Sequence, residues 1–308
     1  MPPLVEDPGQ TEEDRRTRNL LVLLLLLYVA GRILQLYSDR VPTLLIVVLH
    51  VIPAAAFAWI HGSLLYRIRG VLVFTALCLG SGTFFESLSL RTGFPFGHYY
   101  FTDLMGPKLF QLPILLALAY LGMGYLSWVL ALLILGRRSD PPQGRRIVFL
   151  PLIASCIMVA WDLSMDPIWA NIDHAWVWKE GGSYFGVPIS NFLGWFLTTY
   201  LFYQAFALYL RRRRTASLPS PLWRLPILFY AASAAGNILL LAQPGTPSVI
   251  TDPSGRHWLA SEIIHATVLV SLFLMGAFAL IAWLRFRNPA KSSQVFDATL
   301  PQTDLSTQ

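Results

Sequence analysis

Residues 19–37, NLLVLLLLLYVAGRILQLY, form an apolar run long enough to cross a lipid bilayer as a helix. A membrane-spanning helix needs about 20 apolar residues, because the hydrocarbon core is roughly 30 Å thick. The rest of the chain has the same character, since 55% of its 308 residues are hydrophobic and only 13% are charged. Soluble domains average about 25% charged residues. The composition therefore indicates a membrane protein.

Seven further apolar runs have the length and composition of membrane spans. They cover residues 41–60, 71–90, 109–135, 147–165, 189–210, 222–242 and 258–284. The sequence thus predicts an all-α polytopic membrane helix bundle with about eight transmembrane helices. We expect one transmembrane domain over residues 16–288, flanked by tails at residues 1–15 and 289–308 that are predicted to be disordered.

The distribution of the basic residues predicts how the bundle is oriented. Most of the 23 Lys and Arg residues fall in the two tails and in the connections on the same side as the tails. Basic loops are retained in the cytoplasm during insertion, so both termini are predicted to be cytoplasmic in a protein of the cytoplasmic membrane. The net charge of +6 then reflects topology and contact with membrane lipid. It does not indicate nucleic-acid binding, because no basic patch is interleaved with aromatic residues.

Ionisable residues in the spans cluster toward the opposite, non-cytoplasmic side. Glu86 lies near the end of the third span, Asp162 and Asp166 near the end of the fifth, and Glu262 with His265 near the start of the eighth. Charged groups inside a membrane are energetically costly and are by default functional candidates. Residues three or four apart share one face of a helix. We therefore expect these side chains to converge on one site.

A site of this kind has acid chemistry available to it. Two carboxyl groups that lie close together in a low dielectric cannot easily both ionise, so one of them is held as the neutral acid. A neutral carboxylic acid near pH 7 can donate a proton. The Asp162–Asp166 pair is therefore a candidate proton source.

Two connections on the same side are rich in aromatic and polar residues. The segment RTGFPFGHYYFTDLMGPK at 91–108 contains His98, Tyr99, Tyr100 and Asp103. The segment at 161–196 contains Trp161, Trp169, Tyr184, Asn191 and Trp195. Aromatic residues commonly form belts at membrane interfaces, but aromatic faces also attract cations. Rings beside proton-donating acids fit a pocket in which a carbocation forms.

Three motifs in these regions resemble a known family. The stretches GFPFGHYYFTD at 93–103, WDLSMDPIW at 161–169 and GGSYFGVPISNFLGWF at 181–196 are similar to carotenoid-biosynthesis membrane proteins of the γ-carotene 1',2'-hydratase and bisanhydrobacterioruberin hydratase type. The resemblance covers roughly residues 70–270, and the motifs come in the family's order. It implies cofactor-independent addition of water to the terminal double bond of an acyclic carotenoid end, such as that of lycopene or γ-carotene. The product would be a tertiary alcohol.

The hypothesis assigns a role to each candidate residue. Asp162 and Asp166 form the pair that supplies the proton, with Glu86 or Glu262 as the second choice. His98, Asp103 and Asn191 position or deprotonate the water. The remaining candidates line the pocket for the substrate and its cation: Trp161, Trp169, Tyr99, Tyr100, Tyr184, Trp195 and His265. Other carotenoid enzymes are possible partners.

Three alternatives remain open from the sequence. Asp162-Leu-Ser-Met-Asp166 is a DxxxD pattern of the kind that holds a diphosphate through Mg²⁺ in membrane prenyltransferases. His98, Asp103, Asp173 and His174 are residue types that could bind Zn or Fe. A transporter or a lipid- or carotenoid-binding protein without catalytic activity is the third alternative.

Overall fold

The computed structural model describes residues 12–109, 111–136, 141–213, 215–243 and 248–288. The described residues form seven helices: α1 (Glu12–Leu34), α2 (Thr43–Thr92), α3 (Ile114–Ile134), α4 (Arg146–Asn171), α5 (Ile189–Leu210), α6 (Ser220–Leu239) and α7 (Ala260–Arg287). Short 3₁₀ turns extend α1 over Gln35–Tyr37 and α6 over Leu240–Ala242, and α7 contains a π-helical turn at Ser271–Met275. The all-α prediction is confirmed. Residues 12–15 of the predicted first tail begin α1, whereas residues 1–11 and the tail at 289–308 lie outside the described residues.

Two of the predicted spans, 41–60 and 71–90, lie within the single helix α2, which is 50 residues long. A straight helix of that length would measure about 75 Å, far more than the roughly 30 Å hydrocarbon core. α2 is interrupted at Arg67, whose φ of 59° and ψ of 170° are not helical. α2 therefore consists of two helical halves that meet at this residue.

Six helices of the described residues are long and apolar enough to span a membrane. α2 counts once among these six, and α5 is not one of them. The predicted count of eight spans is therefore not confirmed, although every predicted run corresponds to a helix or to half of α2. The cytoplasmic location of the termini stays a prediction.

Three short antiparallel strand pairs lie in the connections between the helices. β1 (Tyr99–Phe101) pairs with β4 (Trp176–Trp178), β2 (Lys108–Leu109) with β3 (Leu112–Pro113), and β5 (Val249–Thr251) with β6 (His257–Leu259). We call the end of the bundle that carries these pairs the ribbon end. The ribbon of β1 and β4 joins the connection after α2 to the connection after α4, and it thereby brings two of the sequence motifs together.

Helix α3 forms the centre of the bundle, because 72% of the residues in its most apolar 18-residue stretch are buried. It packs most extensively against α2 and also contacts α4, α6 and α7. At Gly122 a Cβ atom would lie 2.9 Å from the backbone carbon of Ala54, so the α2 and α3 backbones touch at this position. Small residues of this kind allow helices in membranes to approach closely.

Candidate active site

A partly open cavity at the ribbon end has a volume of about 300 Å³, including the space at its opening. We call it the acid cavity, because three carboxyl side chains contribute to its wall. Helices α2, α3, α4 and α5 and the ribbon of β1 and β4 enclose it. Its lining residues are Glu86, Phe96, Tyr99, Phe101, Leu116, Tyr120, Asp162, Met165, Asp166, Trp176, Trp178, Asn191 and Trp195.

Glu86 from α2 and the pair Asp162 and Asp166 from α4 are all deeply buried. Their exposed fractions are 4%, 1% and 1%. Asp162 and Asp166 lie one helical turn apart, as the four-residue spacing predicts. None of the described residues that line the cavity is Lys or Arg, so these acids face one another and aromatic rings without a neutralising cation.

A single amide group links the two aspartates. Nδ2 of Asn191 donates to Oδ2 of Asp162 at 3.1 Å and to Oδ2 of Asp166 at 2.5 Å. Asp166 also accepts a hydrogen bond of 2.6 Å from Nε1 of Trp176. Among the described residues, Asp166 therefore has more hydrogen-bond donors than Asp162, which accepts only the longer bond from Asn191.

Two phenol groups hold Glu86 in place. The hydroxyl of Tyr120 donates to Oε1 of Glu86, and the hydroxyl of Tyr99 donates to Oε2. Burial raises the pKa of the Tyr99 phenol well above its usual value, and the neighbouring charge of Glu86 raises this pKa further. Tyr99 therefore keeps its proton and acts as a permanent donor to the carboxyl group.

The aromatic wall of the cavity follows from the pairing of β1 with β4. Tyr99 lies opposite Trp178, and Phe101 lies opposite Trp176. Alternate residues of a strand point to the same side, so these four rings face the cavity. The Tyr99 and Trp178 rings are 4.7 Å apart. Tyr100, between the two inward residues, is 49% exposed.

The connection between β4 and α5 positions the Asn191 amide. Its sequence GGSYFGVP folds back on itself, with hydrogen bonds between Tyr184 and Val187 in both directions. Gly182 packs so closely on this turn that a Cβ atom would lie 2.1 Å from the backbone nitrogen of Pro188. α5 begins directly after Pro188, which places Asn191 in its first turn beside α4.

A larger cavity of about 600 Å³ adjoins the acid cavity. Leu116, Met165 and Trp176 line both spaces. We call the larger space the arginine cavity, because Arg32 lines it; its further lining residues are Tyr28, Val47, His50, Val51, Ala54, Met105, Ala119, Met123, Trp161, Trp169 and Asn237.

The structure brings together about half of the residues that the sequence singled out. Six of them line the acid cavity: Glu86, Asp162, Asp166, Tyr99, Asn191 and Trp195. Trp161 and Trp169 line the arginine cavity instead. The aromatic ring of Tyr184 packs on Phe192, and its hydroxyl donates to the Leu163 carbonyl, so Tyr184 supports the wall from behind.

Five predicted site residues lie away from the acid cavity. The prediction that they converge on one site with the buried acids was therefore wrong. Glu262 and His265 are on exposed positions of α7, and the Glu262 carboxylate accepts a hydrogen bond from the Leu259 backbone nitrogen at the start of that helix. Tyr100 points outward from the ribbon. The remaining two, His98 and Asp103, belong to surface pairs.

These two surface pairs also bear on the predicted metal alternative. Nδ1 of His98 lies 3.0 Å from a carboxylate oxygen of Glu180, and Asp103 accepts a hydrogen bond of 2.7 Å from Lys108. This hydrogen bond and the charge of Lys108 lower the pKa of Asp103, so Asp103 is an ionised surface group. Across the described ranges, no cluster of three or more His, Cys, Asp or Glu residues could hold a metal ion.

Sequence reasoning did not single out several residues that line the acid cavity. Tyr120 is the most important of them, because it donates directly to Glu86. Its only signal in the sequence was a phenol group within an otherwise apolar span, and this is also common in helix packing. The others are Phe96, Phe101, Leu116, Met165, Trp176 and Trp178.

Replacing either phenol by phenylalanine tests how firmly Glu86 is held. Tyr99→Phe or Tyr120→Phe leaves one buried carboxylate oxygen without its donor, which typically costs about 1–3 kcal/mol. We expect a lower unfolding temperature for both variants in a thermal unfolding assay of the detergent-solubilised protein. Tyr100→Phe is the matched control, since this ring is half exposed; equal unfolding temperatures for Tyr99→Phe and Tyr100→Phe would contradict the assignment.

The apolar helices surround a group of buried carboxyls with an aromatic wall. These features define a polytopic membrane protein with an internal acid site. The chain belongs to the family of carotenoid biosynthesis proteins, whose model matches residues 42–251. This range includes every described residue that lines the acid cavity. The family relationship confirms the resemblance drawn from the three motifs and gives the protein a role in carotenoid biosynthesis.

One curated relative is the bisanhydrobacterioruberin hydratase of Haloarcula japonica. The two chains are 31% identical over 114 residues, which is 37% of this chain and 36% of the relative. The aligned segment thus spans about a third of the relative's length. No solved structure matches the chain.

Proposed function

We propose that the protein is a hydratase that adds water to the terminal 1',2' double bond of an acyclic carotenoid end. The observation that carries this proposal is the buried Asp162–Asp166 pair, which Asn191 bridges inside an aromatic-walled cavity. The family and the hydratase name of the relative support the same reaction class. Lycopene and γ-carotene are the substrates that we expect.

The hydrogen bonds suggest which aspartate carries the proton. Asp166 accepts from Trp176 and from Asn191 at 2.5 Å, and donors of this kind stabilise a carboxylate. From the described residues, Asp162 accepts only the longer bond from Asn191. Two neighbouring carboxyls without a cation cannot easily both ionise, so we assign the shared proton to Asp162.

Hydration then follows in two steps that conserve all atoms. Asp162 transfers its proton to the less substituted carbon of the double bond, and the positive charge develops on the tertiary carbon. A water oxygen attacks this carbon, and the water's second proton passes to Asp162 or Asp166, so that the pair again holds one proton. The net change is the addition of one water molecule.

The rest of the cavity stabilises the cation between these steps. Glu86 contributes its carboxyl oxygens, and two phenols fix it in place. Tyr99, Trp178 and Trp195 offer aromatic faces, which attract positive charge. Fixed groups of this kind lower the barrier because they need not reorganise when charge develops.

The two cavities are too small for a whole carotenoid. The acid cavity has about 300 Å³, including the space at its opening, so it would meet one end of the substrate and not a polyene as long as the membrane is thick, roughly 30 Å. The adjoining arginine cavity, with mostly apolar walls, offers a further 600 Å³. The remainder of the polyene would then leave through this space or into lipid.

The acid cavity offers little to a diphosphate. Phosphate groups are usually recognised by Arg or Lys, and the described residues of the cavity wall include neither. This feature favours hydration over the prenyltransferase alternative. A carotenoid-binding protein without catalytic activity would not need three buried acids, which are costly to bury.

Expression in a bacterial host that makes lycopene tests the proposal. We expect the pigments to gain the mass of one water for each acyclic end, and growth in ¹⁸O-labelled water to place the label in the product. Oxygen derived from O₂ would indicate a hydroxylase instead. Unchanged pigments in cells that contain the folded protein would contradict hydration of this substrate class.

A further inference from the structure

Arg32 of α1 is a buried cation outside the acid cavity. Its exposed fraction is 9%, and it lines the arginine cavity. An Nη of its guanidinium donates to Oδ1 of Asn237. No described residue gives this cation a carboxylate partner within salt-bridge distance, and its Nε has no hydrogen-bond partner within the described ranges. A guanidinium has five N–H donors, so this group has spare capacity for an oxygen ligand.

The surrounding helices are built to hold this cation. The amide of Asn237 donates to the hydroxyls of Ser164 and Ser271, at 3.1 and 2.8 Å, which directs its oxygen to Arg32. Ser271 is the first residue of the π-helical turn in α7. Gly236 provides the space, because a Cβ atom there would lie 1.8 Å from Nε of Arg32. Three helices besides α1 therefore contribute to the position of one guanidinium.

His50 of α2 lines the same cavity and complements Arg32. Its Nε2 is also without a partner in the part of the chain that the structure describes. A neutral imidazole nitrogen either accepts or donates one hydrogen bond, depending on the tautomer. The cavity thus combines a charged donor with a ring nitrogen that needs a partner.

The other walls of the arginine cavity are mainly apolar. They are formed by residues such as Val47, Val51, Ala119, Met123 and Trp161, and none of its described lining residues is Asp or Glu. A ligand that suits this space has an apolar body and one group that both accepts and donates a hydrogen bond. A hydroxyl group meets both requirements, because it can accept from Arg32 and can either donate to Nε2 of His50 or accept from it, and it brings no further charge into a mainly apolar space.

We propose that Arg32 and His50 bind the hydroxyl group of an isoprenoid alcohol in the arginine cavity. The inference rests on the proposed function, because a tertiary isoprenoid alcohol is the class of product that hydration makes. The two cavities share Leu116, Met165 and Trp176, so an alcohol formed at the acids has an adjoining site whose described lining residues include no Asp or Glu. Binding there keeps the hydroxyl away from the groups that could eliminate it again.

A binding experiment tests this site without turnover. The probes are tetrahydromyrcenol, a saturated tertiary isoprenoid alcohol, and its parent alkane, which lacks only the hydroxyl. Isothermal titration calorimetry of the full-length protein in detergent gives a dissociation constant for each. We divide the dissociation constant of the alkane by that of the alcohol, and we expect this ratio to be above one in the wild type. In Arg32→Met it should fall about tenfold, which is the effect of one hydrogen bond to a charged group.

Comparing ratios between variants removes the different partition of the two probes into detergent micelles. His50→Phe keeps an aromatic ring but removes the ring nitrogens, and we expect a smaller fall in the alcohol preference. If Arg32→Met does not fold, His50→Phe alone tests the proposal. Arg40→Met is the control, because this arginine is exposed and pairs with Asp39. Ratios that stay at the wild-type value in both site variants would overturn the proposal.

The two proposals fail in different ways. Hydration of lycopene combined with no effect of either variant on the ratio would remove the alcohol site and leave the proposed function intact. An alcohol preference that depends on Arg32 and His50, without any hydration activity, would support the binding site and remove its link to the reaction.

Discussion

Asp162→Asn is expected to lower the rate of water addition by about a hundredfold to ten-thousandfold, the usual contribution of a general acid. The amide has nearly the same shape as the acid but cannot supply the proton. Asn191 and Trp176 keep Asp166 in place, so the cavity should remain assembled. The measurement is the yield of hydrated pigment in a lycopene-producing host, normalised to the amount of folded protein in the membrane.

Asp39→Asn is the matched control for this substitution. Asp39 is exposed and pairs only with the neighbouring Arg40, so the same chemical change there should leave activity and folding as they are. Full activity of Asp162→Asn would show that another acid donates the proton. Asp166→Asn and Glu86→Gln would then separate the two remaining carboxyls of the cavity.

Gly182→Ala is expected to have the largest effect on stability. Its new Cβ atom would lie 2.0 Å from the carbonyl carbon of Val187 and 2.1 Å from the nitrogen of Pro188. Both are backbone atoms, so no side-chain rotation relieves the collision, and the loss should be about 3 kcal/mol or more. Hydration should be lost as well, because the displaced segment leads directly into α5 and Asn191.

Gly80→Ala provides the comparison for this variant. A Cβ atom at Gly80 of α2 meets nothing within 4 Å, and alanine favours a helix interior by up to about 1 kcal/mol over glycine. We expect wild-type or slightly higher thermal stability, measured by fluorescence-detected size-exclusion chromatography after heating. If Gly182→Ala also retained the wild-type unfolding temperature, the packing of this turn would be described wrongly.

The sequence predicted the helices well because their signal is local. An apolar run of about 20 residues has few ways to satisfy its backbone in lipid other than as a helix. The same local logic placed Asp162 and Asp166 on one helix face, since side chains four residues apart are neighbours. Both expectations depend only on residues that are close together in the chain.

Glu262 and His265 show where this logic stops. Their three-residue spacing predicts a shared face, but it does not say which neighbour that face meets. In the structure α7 turns its buried face, with Ile263, Thr267 and Ser271, toward the bundle, and Glu262 and His265 lie on exposed positions. Helix rotation is decided by packing between elements, which a single sequence does not show.

The strand pairing that forms the aromatic wall was missed for a related reason. Tyr99 and Trp178 are neighbours only because β1 pairs with β4, and the three-residue strands carry too little signal to predict that pairing. Tyr120 was overlooked because its partner, Glu86, lies on another helix. A phenol in an apolar span gains meaning only once the acid beside it is known.

The ribbon of β1 and β4 links the hydrogen bonding of two carboxyl groups in the acid cavity. Tyr99 on β1 donates a hydrogen bond to Glu86, and Trp176 on β4 donates one to Asp166. An outward movement of this ribbon would remove one hydrogen bond from each carboxyl at the same time, while Tyr120 would still donate to Glu86 and Asn191 to Asp166. The hydrogen bonding of these two acids therefore depends on the position of one short ribbon.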